Sequence, residues 1–116
     1  ETTARVLCSQ GVKVFLAEDF VSTPMVSLGC KNYGAGMGVV ITASHNPPSY
    51  NGYKLKSKDG GPSDPAIVQE VEDMIPDAID LNLKSVDDYE KEKMLEYVNL
   101  EYDYVEHVKK NFDLNV

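Results

Sequence analysis

The sequence predicts an α/β fold: a mixed, mainly parallel sheet with flanking helices. Three patterns carry that reading. Val12-Lys13-Val14-Phe15-Leu16-Ala17 is a short β-rich run, and Gly38-Val39-Val40-Ile41-Thr42-Ala43 is an almost wholly apolar one. Between them lies a stretch with helix start and stop signals. Strand, helix and strand within about thirty residues make a βαβ unit, whose strands are expected to be parallel with a right-handed crossover.

The elements follow in order. Residues 1–9 read as the tail of a helix, with Ala4, Leu7 and Cys8 on one side and Gly11 as the terminator. A helix opening at the first residue suggests a domain incomplete at its N-terminus. Ser22 or Thr23 caps a second helix that opens at Pro24, the favoured first helical residue, and runs to about Tyr33 before Gly34 and Gly36. The strand over residues 38–43 is expected to be buried on both faces. Asn51-Gly52 marks a turn, and Tyr53-Lys54-Leu55-Lys56 alternates like an edge strand. After the turn at Asp59-Gly60-Gly61, Asp64-Pro65 opens a helix with Ile67, Val68, Val71, Met74 and Ile75 at helical spacing, ended by Pro76. Residues 77–86 read as irregular. A single last helix is expected from near Asp87, with Asp87 and Glu90 at capping-box spacing. Its apolar stripe would be Met94, Leu95, Val98, Tyr102, Val105, Val108 and Phe112.

At 116 residues, 42% of them hydrophobic, the chain is long enough for one domain with a small core. A formal charge of -8 and the lack of any basic stripe argue against a nucleic-acid partner. No apolar run reaches the roughly 20 residues that span a bilayer, so no membrane partner is expected. Cys8 and Cys30 lack metal-type spacing and read as small buried hydrophobes in a reducing compartment, the cytoplasm.

Chemistry concentrates in Thr42-Ala43-Ser44-His45-Asn46-Pro47-Pro48-Ser49-Tyr50-Asn51-Gly52-Tyr53-Lys54. In α/β sheets ligands bind at the carboxyl ends of strands, and Ser44 follows such an end. His45 and Asn46 supply polar groups beside it. Two prolines stiffen the loop by fixing φ. Asn51-Gly52 turns the chain back so that Lys54 approaches Ser44. A hydroxyl, an imidazole, an amide and an ammonium gathered there suit an anion or phosphoryl site.

Thr42-Ala43-Ser44-His45-Asn46-Pro47 resembles the active-serine signature of the α-D-phosphohexomutases, the phosphoglucomutase/phosphomannomutase family, and Asn51-Gly52-Tyr53-Lys54 matches the segment after it. The resemblance covers residues 1–76 in element order and implies the first, phosphoserine-bearing domain of that family. On this reading residues 1–86 are a partial domain, and residues 87–116 are a helix leading toward a second domain.

The resemblance implies an intramolecular phosphotransferase that interconverts hexose 1-phosphate and hexose 6-phosphate. Ser44 would carry the phosphoryl group, with a hexose 1,6-bisphosphate as intermediate and activator. Mg2+ would be held through the phosphate on Ser44. Lys54 would be the general acid or base for the sugar hydroxyl. His45 would act beside the nucleophile, and Thr42 and Asn46 would bind the phosphate or substrate. The family's metal-binding, sugar-recognition and distal phosphate loops are absent from this sequence. The partners implied are therefore a sugar phosphate and the remaining domains of the same enzyme, and the 116-residue chain alone is expected to be inactive. Pro48-Ser49-Tyr50 resembles the phosphoglucomutase and phosphomannomutase groups more than the phosphoglucosamine branch, but the motif leaves the sugar open.

A serine after a strand is ordinarily a turn residue, and a lone histidine is ordinarily structural. Within the motif both read as functional. Lys56 and Lys58 read as solvated edge lysines, and His107 as surface. Gly34-Ala35-Gly36-Met37-Gly38 precedes a strand, whereas a dinucleotide fingerprint follows one, so it is not a nucleotide loop. Tyr97, Tyr102 and Tyr104 read as core and contact surface. The alternative function is a non-catalytic sugar-phosphate binding or interaction module with the same fold.

Overall fold

The computed structural model describes residues 1–113. Its elements are α1 (Thr2–Ser9), β1 (Val14–Ala17), α2 (Thr23–Asn32), β2 (Met37–Thr42), β3 (Gly52–Ser57), α3 (Pro65–Asp73), α4 (Val86–Lys91), β4 (Leu95–Val98) and α5 (Leu100–Asn111). Helices flank both parallel and antiparallel strand pairs, so the α/β class is as the sequence predicts. The chain divides into two compact units, each drawn from two separate stretches.

The first unit comprises Glu1–Phe20 and Pro76–Asn99. Here β1 runs parallel to β4, with Val14 opposite Leu95 and Ala17 opposite Val98. Ala4, Cys8, Tyr89 and Leu95 form the core, with Val14, Leu16, Val86 and Met94 packed against it. The residues of α1 that reach this core, Ala4 and Cys8, are one helical turn apart and so share a face. Arg5 Nε donates to the Lys84 carbonyl at 2.7 Å and Nη2 to that of Leu83 at 3.2 Å, which ties the irregular segment to α1.

The second unit comprises Val21–Ile75 together with the chain from Leu100 onward. Here β2 and β3 form an antiparallel ribbon in which Val39 faces Leu55 and Thr42 faces Gly52. The ribbon packs on α2 at Gly38, where a Cβ would run into Cys30 Sγ; only glycine permits that approach. On α2, Gly29 makes room for Leu100 of α5, and Tyr33 Oη donates to Asp103 Oδ2 at 2.8 Å. Asp64 caps α3 by accepting from the Ala66 amide at 2.8 Å, with Pro65 as its first residue.

Three expectations change. First, β1 and β2 belong to different sheets. The parallel partner of β1 is β4, which the sequence reading had hidden inside a helix. Second, β2 is not buried on both faces: Val40 is buried, but Ile41 is 54% exposed. The apolar positions of α3 likewise include no buried residue.

Third, residues 87–112 are not one helix. The N-cap of α4 is Ser85, whose hydroxyl accepts from the Asp88 amide at 3.1 Å, and not Asp87. The helix then stops at Lys93, which has φ 60. The Lys93 amide donates to Glu90 O and the Met94 amide to Tyr89 O, both at 2.9 Å. This is the paired bonding of a Schellman motif. Leu95 and Val98 therefore lie in a strand and are buried, while Tyr102, Val105 and Phe112 are exposed, so the expected stripe does not exist. Tyr97 likewise lies in β4. Leu114, Asn115 and Val116 lie outside the described residues.

Candidate functional site

The ribbon of β2 and β3 sets the site. β2 ends at Thr42 and β3 begins at Gly52, so residues 43–51 form the loop at the tip of the hairpin. Two turns build that loop. One is closed by the Asn46 amide donating to Ala43 O at 3.0 Å, the other by the Tyr50 amide donating to Pro47 O at 2.9 Å. Ser44 and His45 occupy the centre of the first turn. Ser44 has φ 55 and His45 does not share a positive φ, which is the type II′ pattern. Glycine is the low-energy residue there, so a serine is held at a cost of about 1–3 kcal/mol.

The Ser44 amide donates to Thr42 Oγ1 at 3.0 Å. Thr42 is thus bonded to the backbone of Ser44. A Thr-x-Ser spacing signals such a side-chain turn, but the positive φ of Ser44 had no sequence signal. Ser44, His45 and Asn46 are all exposed at the tip.

Lys54 lies on β3 opposite Val40, two rungs below the Thr42–Gly52 pair. That is about 7 Å along the strand, within the span of a lysine stem. Side chains alternate faces, so Thr42 and Lys54 share one face of the ribbon. Gly52 bears no side chain on the rung between Lys54 and the loop. A Cβ there would meet Thr42 O at 3.1 Å. The hairpin therefore brings Thr42 and Lys54 to one face and puts Ser44, His45 and Asn46 at its end. His107 is exposed and far along the sequence on α5, as expected of a surface residue.

The residues present do not by themselves fit a Mg2+ ion, a cation that demands several oxygen ligands. Among the described residues no group of three or more His, Cys, Asp or Glu is placed to hold a metal. Residues 43–51 include no carboxylate. Cys8 and Cys30 are free and buried, and burial pushes both thiols up from their ordinary value.

The sequence model described as phosphoglucomutase/phosphomannomutase, alpha/beta/alpha domain I, matches residues 1–80. The chain belongs to the phosphoglucomutase/phosphomannomutase family. Its similarity to individual members is spread across several enzyme names. It is 42% identical over 60 residues to the phosphoglucomutase of Staphylococcus haemolyticus, a match covering 52% of this chain and 11% of that protein. It is 47% identical over 53 residues to a probable phosphoribomutase of Schizosaccharomyces pombe, covering 46% of this chain and 9% of that protein. A longer match, 35% identical over 100 residues, is to the phosphoglucosamine mutase of Methanocaldococcus jannaschii and covers 84% of this chain and 20% of that protein. The chain thus spans a fifth or less of the length of these relatives. Among the described residues, no helix is long and apolar enough to cross a membrane.

Proposed function

We propose that this chain is the phosphoserine-bearing part of a phosphohexomutase, with Ser44 as the residue that carries the phosphoryl group. One observation supports this above the others. In a chain of this family, Ser44 stands exposed at the tip of a hairpin, in a backbone conformation that a serine adopts only at a cost.

On this reading the chain's own side chains take the following parts. A hydroxyl of a bound sugar monophosphate attacks the phosphorus on Ser44. The new bond is sugar oxygen to phosphorus, and the bond that breaks is Ser44 Oγ to phosphorus. Lys54, on the same ribbon face as Thr42, takes the hydroxyl proton as the free amine and passes it to the departing Ser44 Oγ. The product is a hexose 1,6-bisphosphate. Ser44 Oγ then attacks its other phosphoryl group, and the Ser44 hydroxyl proton passes through Lys54 to the sugar oxygen that loses phosphorus. His45 and Asn46 hydrogen-bond around the phosphoryl oxygens. Such a transfer depends on positioning and charge neutralisation more than on covalent help.

Of a Mg2+ site, this chain would supply only the phosphoryl oxygens on Ser44, and the carboxylates would come from elsewhere in the protein. The sugar-recognition surface would come from there too. The 116-residue chain alone is then inactive, which an assay of glucose 1-phosphate isomerisation by the purified chain checks. Relatives are named for glucose, ribose and glucosamine phosphates, so the substrate class proposed is a sugar monophosphate and no particular sugar. Two free buried thiols support a reducing compartment, the cytoplasm.

Site-resolved phosphate mapping of the full-length protein tests the reading. Phosphate on Ser44 that disappears on adding a sugar monophosphate is the expected result. A Ser44 that cannot be charged by a hexose 1,6-bisphosphate with Mg2+ would instead favour a sugar-phosphate binding module.

A further inference from the structure

The bond from the Ser44 amide to Thr42 Oγ1 goes beyond phosphate binding. We propose that Thr42 is a positioning residue, whose hydroxyl holds Ser44 in its positive-φ conformation and thereby aims Ser44 Oγ for phosphoryl transfer. The inference rests on Ser44 being the phosphoryl carrier.

Three observations support it. Ser44 has φ 55, a conformation that L-residues other than glycine avoid, so something in the loop must hold it. Its amide bonds the Thr42 side chain at 3.0 Å rather than a backbone carbonyl. Thr42 is itself the last residue of β2, fixed opposite Gly52 by the ladder. The hydroxyl is thus anchored to the rigid part of the ribbon and acts on the first residue of the exposed turn. Glycine at position 44 would relieve the strain but remove the nucleophile. A serine therefore needs an outside constraint, and Thr42 is the side chain placed to give it. A β-branched residue suits that task, because its χ1 is stiff.

A hydroxyl engaged by the Ser44 amide still has a proton to donate, so Thr42 can also touch a phosphoryl oxygen. The two roles separate kinetically. A residue that binds substrate moves KM, whereas one that aims the nucleophile moves the rate of charging and kcat.

The test uses the full-length protein with Thr42→Val, Thr42→Ser and Ser44→Ala. The readouts are the single-turnover rate of Ser44 charging by a hexose 1,6-bisphosphate, steady-state kcat and KM, and hydrogen exchange of the Ser44 amide. Thr42→Val, which keeps shape and loses the hydroxyl, is expected to slow charging and kcat by about 10- to 100-fold. KM should change less than about threefold, and exchange of the Ser44 amide should accelerate. Thr42→Ser is expected to restore charging to within about threefold of wild type and to keep the amide protected. Wild-type charging by Thr42→Val overturns the proposal, and so does a Thr42→Ser variant as slow as Thr42→Val. A change confined to KM assigns Thr42 to substrate binding instead. Charging that persists in Ser44→Ala shows that the phosphoserine reading itself has failed, a result distinct from all of these.

Discussion

Ser44 and Lys93 are the non-glycine residues with positive φ among those described, and they serve different ends. Lys93 ends α4, where glycine is the usual choice. Lys93→Gly removes about 1–2 kcal/mol of left-handed strain and adds back about 0.5–1 kcal/mol of chain entropy. Its melting temperature should rise by a few degrees, and a calorimetric scan that shows no rise would count against the Schellman assignment. Ser44→Gly should likewise stabilise, and under the proposed function it loses the hydroxyl that would carry phosphate, so stability and function would part at this residue. Asp88 offers a pH test. Hydrogen bonding from Ser85 holds its carboxyl below the ordinary carboxylate range. A depressed folded value contributes stability above the unfolded pKa of about 3.9 and loses it as pH falls through the folded value. Wild type should therefore melt higher than Asp88→Asn near neutrality, and the gap should close in acid below about pH 4. A gap that widens in acid would contradict the bond. Thr42, Ser44, His45, Asn46 and Lys54 are the candidates the sequence offers, because the motif is dense and ordered. The strain at Ser44 could not, since residue type alone suggests a free turn.

At the scale of elements, legibility followed the punctuation. α1 and α2 end in Gly11 and Gly34, both at positive φ, and α3 begins at Asp64-Pro65, so all three could be placed within a residue or two. The region after residue 86 carries the same kind of stop but writes it with lysine, and the helix was expected to run on through β4. The Ser85-x-x-Asp88 spacing is the readable start signal and lies two residues before Asp87. Packing between elements also turns on single atoms. Gly38→Ala pushes a methyl group into Cys30 Sγ, and overpacking of that kind costs about 1–3 kcal/mol. Combining it with Cys30→Ala should recover part of the loss, a non-additivity visible in the denaturant midpoints of the four proteins. Simple additivity would mean that α2 and β2 do not meet there.

For the whole molecule, two β-rich runs with helix signals between them carried the α/β class, but strand partners did not follow, because pairing across a long stretch of chain leaves no local trace. Nor does the sequence say what is left uncovered. Met37, Ile41 and Tyr53 alternate on one face of the ribbon and are each 46% exposed or more. An apolar face of this kind favours self-association, which a net charge of -8 opposes at low salt. Sedimentation of the purified chain should show mass rising with concentration once salt screens the charge, and Ile41→Thr with Tyr53→Thr should abolish the rise. A strictly monomeric wild type at high salt would refute this. The pairing of β1 with β4 has a further consequence for how the chain is born. About 80 residues separate the two strands, whereas the ribbon of β2 and β3 closes across a loop of about nine, so the closure entropy is about 2 kcal/mol larger for the sheet. On a ribosome adding roughly 5–20 residues each second, the hairpin that carries Ser44 is complete seconds before β4 emerges. Until then β1 waits for β4, a partner that is not yet translated.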